Sequence, residues 1–152
     1  MGSAFFYHLT RHPLEQTLPM LLEKSAAAGW RVVVRGTSTE RMERLDAALW
    51  LGPEDRFLPH GLAGGDFDAD QPVLLTTGDT APNGAACLMA VDGAEVTPEE
   101  ASGLERVCIL FDGNDEGAVN HARAQWKLLT GAGVAAQYWS EDTGRWEKKA
   151  EA

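Results

Sequence analysis

The sequence predicts an α/β fold built on a largely parallel sheet. Two observations carry that reading. Short β-branched or aromatic runs alternate with stretches of helical apolar spacing along most of the chain. Arg106-Val107-Cys108-Ile109-Leu110-Phe111 is an almost continuous apolar run, as expected of a central strand buried on both faces. The length of 152 residues suits one domain spanning 1–152.

Ala4-Phe5-Phe6-Tyr7-His8-Leu9 reads as the first buried strand. Pro13 suits the first turn of a helix, and Leu14, Leu18, Leu21, Leu22 and Ala26 recur at helical spacing up to Gly29. Pro19 falls inside that pattern and marks a kink or a late start. Trp30–Arg35 reads as the second strand. Thr37 with Glu40 matches a capping box, ahead of a helix whose inner face is Met42, Leu45 and Leu49 and which Gly52-Pro53 stops. The order strand, helix, strand, helix implies parallel pairing through crossovers.

Pro59–Asp70 is rich in Gly and Asp and reads as a loop. Val73–Thr77 and Ala86–Val91 follow as strands, and Pro98-Glu99-Glu100 opens a short helix. After the central strand, Asn114 is placed to cap a long helix, with Asp115 and Glu116 complementing its dipole. Ala118, Ala122, Trp126 and Leu129 make its inner stripe, and Gly131 or Gly133 ends it. Val134–Trp139 is the final strand. The tail after Glu141 is polar apart from Trp146.

Charge is unevenly spread around a net value of −10. Residues 1–56 carry seven acids and seven bases, residues 57–122 carry twelve acids and the single base Arg106, and residues 123–152 carry four acids and five bases. Phosphate-backbone binding needs a concentrated basic face, so direct nucleic-acid contact is not expected. No long apolar span points to a membrane, and no leader pattern points to secretion. Cys87 and Cys108 sit in apolar surroundings as core thiols, which suits a reducing, cytoplasmic setting.

Chemical motifs are sparse. Neither Thr10-Arg11-His12-Pro13 nor Gly36-Thr37-Ser38-Thr39 supplies a glycine-rich phosphate loop, and the acids after Gly61–Gly65 would repel phosphate. His8 and His12 do not share a helix face, and the cysteines lack zinc spacing, so no cofactor or metal is expected. Asp112, at a strand end, occupies a position where α/β enzymes keep catalytic carboxylates, but a turn role explains it equally.

Two segments invite partners. Trp50, followed by Phe57-Leu58-Pro59-His60, either packs under its own loop or anchors another protein. Arg123 and Lys127 lie one helical turn apart with Trp126 beside them. That is either a solvated face with a core tryptophan, or a landing site for an acidic peptide that ends in an aromatic residue.

Arg44-Leu45-Asp46-x-x-Leu49-Trp50, then Pro53, Phe57-x-Pro59-His60-x-Leu62-Ala63-Gly64 and Pro72-Val73, resembles the signature of the DNA polymerase III chi subunit. Phe5-Phe6-Tyr7-His8-Leu9 is similar to that family's first strand, and Ala122-Arg123-x-x-Trp126-Lys127 to its C-terminal helix, with Trp126 in place of a more usual tyrosine. The resemblance spans nearly the whole chain and is most specific over Arg44–Gly64. It implies a three-layer α/β/α sandwich around a mostly parallel sheet, a Rossmann-like topology without a nucleotide motif. It also implies a non-catalytic role in DNA replication, joining the clamp loader to single-stranded-DNA-binding protein through that protein's acidic C-terminal tail. Arg123 or Lys127 would pair with the tail's carboxylates, and Trp126 would line the slot for its last aromatic. Asp112 stands where the family tends to have an apolar pocket residue. The Phe57–His60 region, with Trp50, would face the psi subunit, or another clamp-loader component where psi is lacking. The competing readings are a small doubly wound enzyme with its site near Asp112 and Thr76, and a scaffold that self-associates through Trp50 and Phe57.

Overall fold

A computed structural model describes residues 2–50, 60–65, 68–78, 81–141, 143 and 145–152. Among them the strands are β1 (Ser3–Leu9), β2 (Val32–Arg35), β3 (Gly61–Leu62), β4 (Val73–Thr76), β5 (Cys87–Ala90), β6 (Arg106–Asp112), β7 (Ala135–Ser140) and β8 (Glu147–Glu151). They form one sheet in the order β3-β4-β2-β5-β6-β1-β7-β8, parallel throughout except for the antiparallel β7–β8 pair. The helices are α1 (Leu14–Ala27), α2 (Thr39–Trp50), α3 (Pro98–Gly103) and α4 (Glu116–Gly131).

Strand periodicity builds the three layers. Successive side chains alternate across a sheet. Leu9, Val32, Val34, Cys87, Met89, Cys108 and Leu110 therefore meet α1 and α2 through Leu18, Leu22, Met42 and Leu45. Ala4, Phe6, Val33, Leu88, Val107 and Ile109 point the other way, to Ala101 of α3 and to Ala122 and Leu129 of α4. The three-layer α/β/α sandwich expected from the sequence is the observed architecture. Val107–Phe111 are all buried, and β6 sits between β5 and β1 as a central strand must. Among the described residues no helix is long and apolar enough to cross a membrane.

Several local expectations need correction. β1 and β2 are parallel but not neighbours, because β5 and β6 lie between them. The residue that caps α2 is Ser38, whose Oγ accepts from Arg41 N at 3.3 Å; Thr37 instead donates to the Asp92 carbonyl. The cap of α4 is Asp115, which accepts from Gly117 N and Ala118 N, whereas Asn114 donates its side-chain amide to Thr10 O. α1 runs uninterrupted from Leu14 with Pro19 inside it, so the late start is not taken. The segment 59–70 holds the two-residue strand β3, and the expected stop at Gly52-Pro53 lies outside the described residues. β7 is not the last strand: Glu147–Glu151 adds β8 although its sequence, Glu-Lys-Lys-Ala-Glu, has no strand preference. Its pairing energy comes from the ladder with β7. Its charges suit an edge that must not pair further.

Candidate functional site

α4 begins where β6 ends, held there by the Asp115 cap, and lies along the β6–β1–β7 part of the sheet. At 100° per residue, Ala122, Gln125 and Leu129 share its inner face, and all three are buried. Gln125 is the polar member, and its Oε1 accepts from Val96 N at 2.8 Å, which ties α4 to the strand-to-helix turn before α3. Trp126 sits at the edge of this face and is half-buried. Its ring meets Phe6 edge-on at 5.2 Å and Tyr138 at 6.2 Å.

Arg123 and Lys127 fall on the helix surface next to that edge, separated from Trp126 by about 60° and about 100° of helical rotation. Both are exposed, and among the described residues neither forms an ion pair. The structure therefore brings together all three residues singled out on this helix: two free cations on one face, and an indole that is neither fully buried nor fully solvated. On the other flank of the outer surface Leu128 is 50% exposed.

Two further residues belong to this region. Tyr138 of β7 stands opposite Phe6 in the parallel register, and its hydroxyl lies 2.5 Å from His8 Nδ1. His8, Phe111, Tyr138 and Trp126 form a chain of ring contacts from the end of β6 to the outer edge of α4. Alternation along Ala136-Gln137-Tyr138 signals which face Tyr138 takes. Its neighbours depend on strand order, which the sequence alone does not provide.

The second candidate surface starts at the end of α2. Trp50 is 54% exposed, and its ring stacks on that of His60, with centroids 4.2 Å apart. His60 is buried beneath it, with Nε2 3.2 Å from Asp46 Oδ1. Phe57, Leu58 and Pro59 lie outside the described residues.

A third region tests the enzyme reading. β1 and β6 are neighbours whose onward connections go to opposite faces, to α1 and to α4. A crevice opens where such connections diverge, and α/β enzymes commonly bind ligands there. A cavity of about 740 Å³ is present at this place, lined by residues 9–15, Arg41, Asp92, Gly93 and the start of α4. Its anion-binding features are already occupied from within. The N–H groups of Thr10, Arg11 and His12 all donate to Glu141 Oε1, at 3.3, 2.6 and 2.6 Å. Burial opposes ionisation of Glu141, but these donors and the His12 ring hold its carboxyl below the usual range. Arg41 is paired with Glu15 and, at 2.7 Å, with Asp92. Asp112 accepts from Asn114 N in a local turn. Thr76 lies three strands away, on the order of 14 Å at ordinary strand spacing. The structure does not bring Asp112 and Thr76 together. The sequence offered no sign of Glu141, because the contact joins two loops about 130 residues apart.

His12 enters this network through Nδ1, 3.3 Å from Glu141 Oε2. Cys87 and Cys108 are buried core thiols, as their surroundings suggest. Among the described residues no group of three or more His, Cys, Asp or Glu is placed to hold a metal.

The family model for the DNA polymerase III chi subunit, HolC, matches residues 1–137 of the chain. The chain is also 26% identical, over 111 residues, to a protein of Rickettsia prowazekii (strain Madrid E) described as a probable DNA polymerase III subunit chi; the match covers 70% of this chain and 67% of that protein.

Proposed function

Because the chain belongs to the DNA polymerase III chi subunit family, we propose that it is a non-catalytic, cytoplasmic accessory subunit of that polymerase. In this reading it links the clamp loader to single-stranded-DNA-binding protein by holding that protein's acidic C-terminal tail. The observation that carries the reading is the exposed pair Arg123 and Lys127, free of ion pairs among the described residues, beside half-buried Trp126. Free cations retain their attraction for an incoming carboxylate, whereas paired ones would first have to break a contact. The exposed part of the indole offers an apolar wall for a terminal aromatic side chain. The acid-rich body disfavours nucleic acid, and the cation pair supplies local relief for a short acidic peptide.

A second contact completes a link. Trp50, exposed at the end of α2 and propped on His60, is a hot-spot type of residue. It would face psi or another clamp-loader component, together with Phe57, Leu58 and Pro59.

The test is an anisotropy titration with a labelled peptide of about ten residues from the end of the host's single-stranded-DNA-binding protein. Affinity in the micromolar range is expected, about 10⁻⁶ M, weakening as salt rises. Arg123→Ala and Lys127→Ala should each weaken binding several-fold with unchanged urea midpoints. Unchanged affinity in both variants would remove the basis of the reading.

A further inference from the structure

On the opposite face of the sheet from α4, a half-buried guanidinium lacks an anionic partner among the described residues. Arg106 opens β6, and its guanidinium carbon lies 4.1 Å from the centroid of Phe5 and 5.1 Å from that of Trp30. Its Nε is buried, with no hydrogen-bond acceptor among the described residues. It is the single base among residues 57–122, yet none of the described acids pairs with it. Burying a cationic donor without an acceptor is unfavourable, and the two rings offset only part of that cost.

The guanidinium borders a cavity of about 160 Å³ between α1 and the sheet. Lys24 lies at its exposed rim, and Leu21, Met89 and Trp30 supply apolar wall. Tyr7 lines it too; burial, above all, pushes its phenol well above the ordinary range, so the hydroxyl stays a neutral donor. Among the described residues no acid lines the cavity. The lining therefore combines two cations, Arg106 from the sheet and Lys24 from α1, with apolar side chains contributed by both walls. A cavity of about 150 Å³ accepts a benzene ring, which sets the size of a fitting ligand.

We propose that this cavity binds a small organic carboxylate whose body is a single aromatic ring or a short branched chain. The carboxylate meets the Arg106 guanidinium, with Lys24 adding charge from the rim, and the body packs on Leu21, Met89 and Trp30. The site does not depend on the tail-binding role of α4, which lies across the sheet.

The test uses the full-length, ¹⁵N-labelled protein titrated with phenylacetate, and with phenylacetamide as the neutral counterpart. Saturable shifts centred on the Trp30 indole N–H and the Arg106 Nε–H are expected, with the amide binding about tenfold more weakly or worse. Arg106→Gln should lower affinity by about tenfold and Lys24→Gln by about twofold to fourfold. Lys24 is exposed, so its variant remains informative even if Arg106→Gln disturbs packing around Phe5 and Trp30. A tripeptide ending in phenylalanine is the second arm. Binding tighter than that of phenylacetate identifies a chain end as the natural source of the group, and exclusion of the tripeptide identifies a free acid; the site stands in either case. Equal binding of acid and amide, shifts centred on α4, or full affinity in the Lys24→Gln and Arg106→Gln proteins would overturn the proposal.

Discussion

Glu141 offers the sharpest test of how the end of the sheet is held closed. Its side chain is 2% exposed, and one carboxylate oxygen accepts from three successive backbone N–H groups, two of them at 2.6 Å. Hydrogen bonds to a charged acceptor are worth about 1.5–3 kcal/mol each, against about 0.5–1.5 for neutral ones. Glu141→Gln keeps the shape and one oxygen but loses the charge, so the two short contacts together should lose about 2 kcal/mol at pH 7. Glu141→Ala leaves the three donors without their acceptor and should cost about 3–4 kcal/mol. For a domain of this size, about 2 kcal/mol lowers the midpoint of thermal unfolding by roughly 4–8 °C. The folded-state pKa of Glu141 is lowered, so its contribution is complete above the unfolded value of about 4.3. It is lost as pH falls through the folded value. Urea unfolding of the wild type and Glu141→Gln between pH 3 and pH 7 should therefore show a gap that is largest near neutrality and closes on acidification. A gap below about 0.5 kcal/mol at pH 7, or one that widens on acidification, would refute the argument.

Other perturbations follow from single contacts. Arg35 is 7% exposed and held by Glu100 through two hydrogen bonds of 3.1 and 2.7 Å; Glu100→Ala strands that cation and should cost about 3–5 kcal/mol in urea unfolding. A Cβ at Gly113 would stand 1.9 Å from His8 Cδ2, and the His8 ring is fixed by Tyr138; Gly113→Ala should destabilise by about 1–3 kcal/mol, read as a lower thermal midpoint. Trp50→Ala should change stability by less than about 1 kcal/mol, because half the side chain is already in solvent, yet abolish co-elution with the reconstituted clamp loader.

The parts of the fold legible in the sequence are those whose signal is local. β6 is visible because a strand buried on both faces must be apolar throughout, and α3 because Pro98-Glu99-Glu100 suits a helix's first turn; the Thr97–Glu100 capping box that the structure adds is equally local. Thr37 and Asn114 show the limit of that logic. Each is a good cap by type, but the neighbouring Ser38 and Asp115 have the better position once tertiary contacts claim Thr37 for Asp92 and Asn114 for Thr10. β8 was invisible because its stability lies in its partner strand. At the candidate site, helical spacing alone gave the shared face of Arg123 and Lys127 and the adjacency of Trp126. It could not supply Tyr138 and His8, which depend on β7 lying beside β1.

The occupied anion-binding groups of the crevice bear on why a sheet of this type would act through its surface. Doubly wound folds present N–H groups at strand ends and helix starts, and in enzymes those groups hold phosphate or carboxylate ligands. Here the chain's own acids take three such positions: Glu141 on the N–H groups after β1, Asp115 at the start of α4, and Asp68 on Gly64 and Gly65. Arg41, a cation lining the crevice, is claimed by Glu15 and Asp92. A ligand anion would have to displace a covalently tethered carboxylate, whose effective concentration is high because the chain holds it in place. Arg123 and Lys127 have no such competitor among the described residues. Anion recognition is thus disfavoured where the fold usually places it and left available on the outer face of α4, where a partner's chain end can reach it without entering the protein.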